Sequence, residues 1–276
     1  MDLIKHKNIV LKSSREFLAD AIFPESDEKM PLIIFVHGYK GYKDWGAWEL
    51  MGEKLAKAGF YFVKFNFSHN GTTVKNPKEF ADLEAFGQNN YSKELDDLEV
   101  VINHFKNQKE VDPDEVILLG HSRGGGISVI KASENKSISK LITLASISTL
   151  DRFPKDEAFE NWKKEGVYFV ENARTHQNMP HYFQFYQDFE NNKERLDVEK
   201  ACVKLDIPAL FIHGTKDESV KPDHSENLHR WTKASQIKWI ENANHTFGAK
   251  EPWHDKKLPT GLELATEKII NFIKKN

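Results

Sequence analysis

The chain predicts an α/β fold, a mostly parallel central sheet covered by helices on both faces. Three observations predict it. Runs such as Leu32-Ile33-Ile34-Phe35-Val36 and Val116-Ile117-Leu118-Leu119 are almost continuously apolar, as strands buried on both faces are. Amphipathic stretches alternate with them; Leu95, Leu98, Val101, Ile102 and Phe105 recur at helical spacing. The 276 residues suffice for one large domain with a substantial core.

Residues 8–23 read as two antiparallel strands around the polar turn Lys12-Ser13-Ser14-Arg15. A charged loop over 24–29 leads into the strand 31–36, and His37-Gly38-Tyr39-Lys40-Gly41 comes directly off it. Residues 44–59 predict a helix, with Asp44 accepting from free amides at its start and Gly59 ending it. The strand 60–65 follows, then a loop in which His69 reads as a loop-ordering residue. Residues 72–90, with Pro77 and polar turns, form an irregular excursion with a helical patch over 79–86. In the helix 91–106 the adjacent Asp96 and Asp97 point in different directions and read as solvated or capping groups. Val111-Asp112-Pro113-Asp114 reads as a turn before the strand 115–119.

Gly120-His121-Ser122-Arg123-Gly124 then joins that strand to a Gly-rich helix start. Ser at the apex of a strand-to-helix turn is a nucleophile elbow: outer glycines let the helix start against the strand, and the strained serine points out above the sheet edge. Residues 140–145 form the next strand. Residues 147–205 break the rhythm, with helices over 151–164 and 180–200 and a short strand over 166–170. They carry many aromatics, among them Phe153, Tyr168 and Phe185, which fit either a cap underside or cap-to-core packing. This divides the chain into a core, 1–146 and 206–276, and a helical cap insertion, 147–205. The strand 207–214 ends near Asp217, with Glu218 as the fallback acid. A helix over 222–233, a strand over 236–240, a loop carrying His245 and a closing helix over 258–274 complete the chain.

Composition narrows the class. Hydrophobic residues are 39%, charged residues 29%, and the formal net charge is -3 without a long basic block, so no nucleic-acid partner is expected. The lone Cys202 forms no intrachain disulfide and reads as a buried inert thiol. No apolar signal segment or run of about 18 apolar residues occurs, so no membrane association and a cytoplasmic location are expected. The 12 histidines show no H-E-x-x-H or similar spacing, so no metal is expected.

Ser122, Asp217 and His245 each follow a predicted strand, so parallel strands bring them to one sheet edge. In that order they form a candidate Ser-His-Asp triad. The competing imidazoles His213, His121 and His69 read as structural. The amides of Tyr39 and Arg123 are the expected oxyanion donors, with the Tyr39 ring and Lys40 bordering the acyl site. The motifs around His37, Ser122, Asp217 and His245, the last in Asn244-His245-Thr246-Phe247, resemble those of the α/β-hydrolase fold family. The resemblance is closest to serine esterases of the cinnamoyl or feruloyl esterase type and to prolyl-oligopeptidase-like hydrolases. It implies a cofactor-free serine hydrolase whose insertion shapes the substrate site. The first expectation is a carboxylesterase cleaving small or aromatic acyl esters, a small-molecule substrate; a peptidase and an acyl thioesterase stay open as alternatives. A non-catalytic binding protein on the same fold predicts a blocked pocket or a disrupted triad.

Overall fold

The computed structural model describes residues 2–275. In chain order the strands are β1 (Leu3–Lys12), β2 (Glu16–Pro24), β3 (Met30–Val36), β4 (Tyr61–Phe65), β5 (Val111–His121), β6 (Ile138–Leu144), β7 (Val167–Glu171), β8 (Asn178–Tyr182), β9 (Ala209–Gly214) and β10 (Ser235–Ile240). The helices are α1 (Trp48–Lys57), α2 (Leu83–Gly87), α3 (Tyr91–Phe105), α4 (Arg123–Glu134), α5 (Asp156–Glu165), α6 (Gln184–Asn191), α7 (Val198–Lys204), α8 (Asp223–Trp231) and α9 (Thr260–Lys275).

Eight strands form one sheet in the order β1-β2-β4-β3-β5-β6-β9-β10. β2 runs antiparallel to both β1 and β4, and every other neighbouring pair is parallel. The C-terminal ends of β5, β9 and β10 therefore open on one edge, the edge where open α/β sheets hold their ligands. This is the mostly parallel sheet anticipated from the strand and helix rhythm, and the α/β-hydrolase fold that the family resemblance implies.

The apolar strands feed two cores at once. Along β3, Leu32, Ile34 and Val36 pack with Leu95, Leu98 and Ile102 of α3. The alternate residues Ile33 and Phe35 pack with Trp48, Met51 and Leu55 of α1 and Ile269 of α9. β5 repeats the division, with Leu118 on the first side and Ile117 and Leu119 on the second. Such two-sided burial explains why these strands are not amphipathic. Truncating Leu118 to Ala would cost about 2–5 kcal/mol through lost transfer energy and the cavity left.

Four local expectations change. α1 begins at Trp48, and its Ala47 cap makes no side-chain bond, so Asp44 does not cap it. Asp44 instead pairs with the buried ammonium groups of Lys43 (2.8 Å) and Lys64, which also meet Asp20 at 2.7 and 3.2 Å. Two buried cations need carboxylate partners more than a helix end needs a cap. Asp97 is neither solvated nor a cap: it is buried and accepts from the Ser68 amide (2.7 Å) and the Ser13 hydroxyl. Burial pushes its carboxyl up to about 6, against the bonds from Ser13 and Ser68. Val111 and Asp112 are not a free turn but pair with Met30 and Pro31 ahead of a register shift in β5. Finally, residues 178–182 are not helical; β8 pairs with β7 to form a separate antiparallel hairpin in the 147–205 segment.

Candidate active site

β5 delivers Ser122 to the sheet edge and α4 begins at the next residue. Ser122 has φ 55° and ψ −121°, a strained backbone for a residue with a Cβ. Its amide donates to Leu144 O at 2.9 Å, and its carbonyl accepts from the Gly125 and Ile147 amides at 3.0 and 3.3 Å, so the elbow is held from both sides. The neighbouring glycines are sterically required. A Cβ at Gly120 would run into Gly124 O, and one at Gly124 into the carbonyl oxygens of Val36 and His37.

The loop after β3 lies against the serine. A Cβ on Gly38 would sit 2.9 Å from Ser122 Cβ and 3.4 Å from Ser122 Oγ. The Gly41 amide closes a turn onto Gly38 O at 3.0 Å. Buried His37 braces this turn: Nδ1–H donates to Gly38 O at 2.9 Å, while Nε2 accepts from the Phe67 amide at 3.3 Å. Burial lowers the His37 imidazole to about 4, so it stays neutral in this role. The Arg123 amide sits in the first turn of α4, where no intrahelical acceptor exists.

Asp217, in the loop after β9, is buried and fully occupied. Its Oδ1 accepts from the Ser219 and Val220 amides, both at 2.9 Å. Its Oδ2 lies 2.8 Å from His245 Nδ1 and 3.1 Å from His213 Nε2. Burial alone would raise this carboxyl; the bonds from His213, His245 and Val220 outweigh it and hold the group well below the usual carboxylate range. Glu218 is exposed, so the acid that meets His245 is Asp217. His213 is fully buried behind it, with Nε2 also 2.8 Å from Val220 O and Nδ1 2.7 Å from Ser225 Oγ. The His213 ring thus anchors the acid loop, a role its position before Gly214 suggested only as generally structural. His69 is buried in its loop and pairs through Nδ1 with Ser68 Oγ at 2.8 Å.

Ser122 and His245 line the same cleft, although among the described residues no hydrogen bond joins their side chains. The cleft has two lobes that share Tyr39, Ser122, Ser219 and His245. The larger, about 540 Å³, includes Lys40, Trp45, Trp48 and Arg174. The smaller, about 400 Å³, includes Tyr91, Arg123, Arg152, Phe153, Tyr168 and Phe185. Only part of the insertion's aromatic set reaches the cleft: Trp162 is buried against Phe153 and Phe183, and Phe169 is exposed. The insertion is tied to the loop after β3 by Tyr39 Oη, which donates to His181 Nε2 at 2.8 Å while His181 Nδ1–H donates to Met179 O at 3.2 Å. Burial lowers the His181 imidazole to about 4, which keeps Nε2 an acceptor. Nothing in the sequence marked His181, Tyr91 or Arg152 for the cleft, because the hairpin, the helix α3 and the loop before α5 that carry them meet it only in the folded chain.

Among the described residues, no predicted site residue forms part of a cluster of potential metal ligands. The carboxylates of Asp20, Asp44 and Glu49 come within ligating distance of one another, but the ammonium groups of Lys43 and Lys64 already lie among them. Glu49 also meets Lys5 and Lys7, so the cluster holds its own counter-charges. Cys202 is buried and its thiol is pushed up to about 12 by burial, the inert behaviour expected of it.

Three comparisons bear on this geometry. The prolyl oligopeptidase family model matches residues 53–258. The chain is 21% identical over 120 residues to the quorum-quenching protein AidA of Acinetobacter baumannii (strain MDR-ZJ06), a match covering 44% of this chain and 36% of that protein's length. Among solved structures it is similar to Est1E from Butyrivibrio proteoclasticus with ferulic acid bound, at TM-score 0.73 and 20% identity, over 97% of this chain and 98% of that one. It is also similar to the acylaminoacyl peptidase of Pyrococcus horikoshii, at TM-score 0.67 and 18% identity, over 99% of this chain but 41% of that one.

Proposed function

The chain belongs to the prolyl oligopeptidase family and is a hydrolase of the serine esterase and peptidase type; from that premise we propose that it is a carboxylesterase using Ser122, His245 and Asp217 as its triad. The observation that carries the reading is the 2.8 Å bond to buried Asp217 from His245, which lines the same cleft as the strained Ser122.

Ser122 Oγ attacks the acyl carbonyl as His245 Nε2 takes its proton. The charge that builds on the carbonyl oxygen is met by the Tyr39 and Arg123 amides, each such donor being worth roughly 10²–10³ in rate. His245 then protonates the departing alcohol, and water activated by the same imidazole releases the acid. Asp217 keeps the proton on Nδ1 and stabilises the imidazolium; its low proton affinity keeps it charged throughout. Residues 147–205 act as the cap, with Tyr168 and Phe185 walling one lobe. Aromatic walls suit the aryl or short acyl esters expected from the sequence, and the ferulic acid bound by Est1E lends that class support.

The test is parallel hydrolysis of short and medium acyl esters, a feruloyl ester, acyl thioesters and aminoacyl amides, each with a Ser122→Ala control. Ser122-dependent ester turnover is expected, together with covalent labelling of Ser122 by a fluorophosphonate. Amide turnover faster than ester turnover, each normalised to its uncatalysed rate, would make the protein a peptidase instead.

A further inference from the structure

The side chain of Arg123 has a use that the backbone role of the same residue does not explain. Its guanidinium lies in the smaller lobe, centred 4.4 Å from the Tyr39 ring, 5.4 Å from Phe185 and 5.6 Å from Tyr91. Ring faces attract a cation, but they leave in-plane N–H donors without acceptors. Among the described residues its side-chain hydrogen bond is to Glu94 Oε1 at 3.5 Å. That is long for a charge-assisted bond, normally about 2.7–2.9 Å. The same oxygen already accepts from Asn89 Nδ2 at 2.8 Å. Glu94 therefore positions the guanidinium without saturating it. A second cation, Arg152, lines the lobe, its Nη1 3.4 Å from His224 Nε2.

A ring-walled lobe beside the serine that ends in an under-used guanidinium is the complement of an apolar or planar group terminating in a carboxylate. We propose that the smaller lobe is an anion subsite and that the preferred substrate is an ester bearing a free carboxylate, held by the Arg123 fork. The carboxylate belongs either to the acyl part, as in a half-ester of a dicarboxylic acid, or to the departing hydroxy acid. The turnover part of this proposal rests on the serine-esterase reading above; the binding part stands apart from it.

Both parts are testable. Ser122→Ala protein is titrated with monomethyl and dimethyl esters of the same aliphatic and aromatic dicarboxylic acids. The half-esters are expected to bind at least about tenfold more tightly, as a charge-assisted bidentate contact provides. Adding Arg123→Gln should erase that preference, whereas Arg123→Lys, a point charge without the fork, should keep part of it. In the wild-type enzyme the kcat/KM ratio of half-ester to diester should show the same preference, and this comparison needs no variant that must fold. Acetyl esters of hydroxy acids, set against their methylated forms, report whether the carboxylate sits on the leaving side. Equal binding and equal turnover of half-esters and diesters, together with no preference for acetylated hydroxy acids over their methylated forms, would overturn the anion subsite even in an active esterase. Preferential binding of half-esters by the Ser122→Ala protein with no turnover of any ester by the wild type would support the subsite and count against the esterase.

Discussion

His121 Nε2 donates to the backbone carbonyl of His245 at 2.9 Å, and the two rings lie 4.9 Å apart. The residue just before the elbow serine thus holds the loop that carries the candidate base. One side of the candidate triad is fastened to the other through a neutral ring, since burial lowers the His121 imidazole to about 3. Trp48 packs on the same ring at 5.1 Å.

His121→Phe keeps the ring and removes the donor. Loss of that one bond frees the His245 loop, and a displacement of about 1 Å is enough to cost 10²-fold, so kcat should fall about 10–100-fold with KM little changed. Because His121 does not titrate near neutrality, the acid limb of the pH–rate profile should stay where it is. Disappearance of that limb in the variant would mean that His121 itself is the titrating base.

Asp217→Asn should be far more damaging. Asn in place of the carboxylate cannot stabilise an imidazolium and permits the wrong tautomer of His245, so a loss of about 10³–10⁴ in kcat is expected. Glu218→Gln, at an exposed neighbour, should leave steady-state kinetics unchanged. Comparable losses in the two variants would return the acid's role to Glu218.

Ser122 and His245, which line the cleft, and Asp217, buried behind His245, were legible as positions in the sequence because they depend on strand ends. Ser122 and Asp217 follow runs whose apolar composition announces a buried strand, His245 follows the half-exposed edge strand β10, and parallel strands have one C-terminal edge. What was not legible depends on partners distant in the chain. Asp44 looks like a cap until Lys64, twenty residues on, is brought beside it by β4. Asp97 looks solvated until Ser13 and the Ser68 amide close over it. β8 was hidden because Pro180 and the polar residues around it carry no strand pattern, and its pairing with β7 supplies what composition does not. The same limit hides the Arg123 side chain, whose neighbours come from α3, the loop after β3 and α6.

Acid should destabilise the fold above the ordinary carboxylate range. His37 and His181 are lowered to about 4 and His121 to about 3, in each case mainly by burial. Unfolded, each binds a proton near 6.5. Between 6.5 and about 4 the unfolded chain therefore carries more protons than the native one, and stability falls as pH falls. Asp97, raised to about 6, acts in the opposite sense over 4 to 6, and Glu94 is also raised by burial, but these are two carboxyls against five lowered imidazoles, since His69 (to about 4) and His224 are lowered as well. Urea melts at pH 7 and pH 4.5 should show a lower midpoint in acid. His121→Phe should flatten the slope between those pH values, whereas an unchanged slope would remove this ring from the linkage.

The elbow glycines differ in a way that stability measurements can resolve. A Cβ on Gly124 meets the Val36 and His37 carbonyl oxygens, and these are backbone atoms at the end of β3. β3 is paired with β4 on one side and β5 on the other, so it cannot move aside. Overpacking against fixed backbone costs upwards of about 1–3 kcal/mol, and Gly124→Ala should lie at or beyond the top of that range. A Cβ on Gly126, two residues along α4, meets only Ile147 Cγ1 at 3.2 Å and Leu150 Cδ2 at 3.4 Å. Those are side-chain atoms that can shift by a few tenths of an ångström. Removing a glycine from a helix interior favours the fold by about 0.5–1 kcal/mol. Gly126→Ala should therefore be close to neutral or slightly stabilising. The two variants change one hydrogen for one methyl in the same helix, so chemistry and helix propensity are matched, and the difference between their urea midpoints isolates the contact with β3. Equal midpoints would show that α4 can pull away from the strand, and the tight seat of the Ser122 elbow would then be lost as an explanation for its backbone.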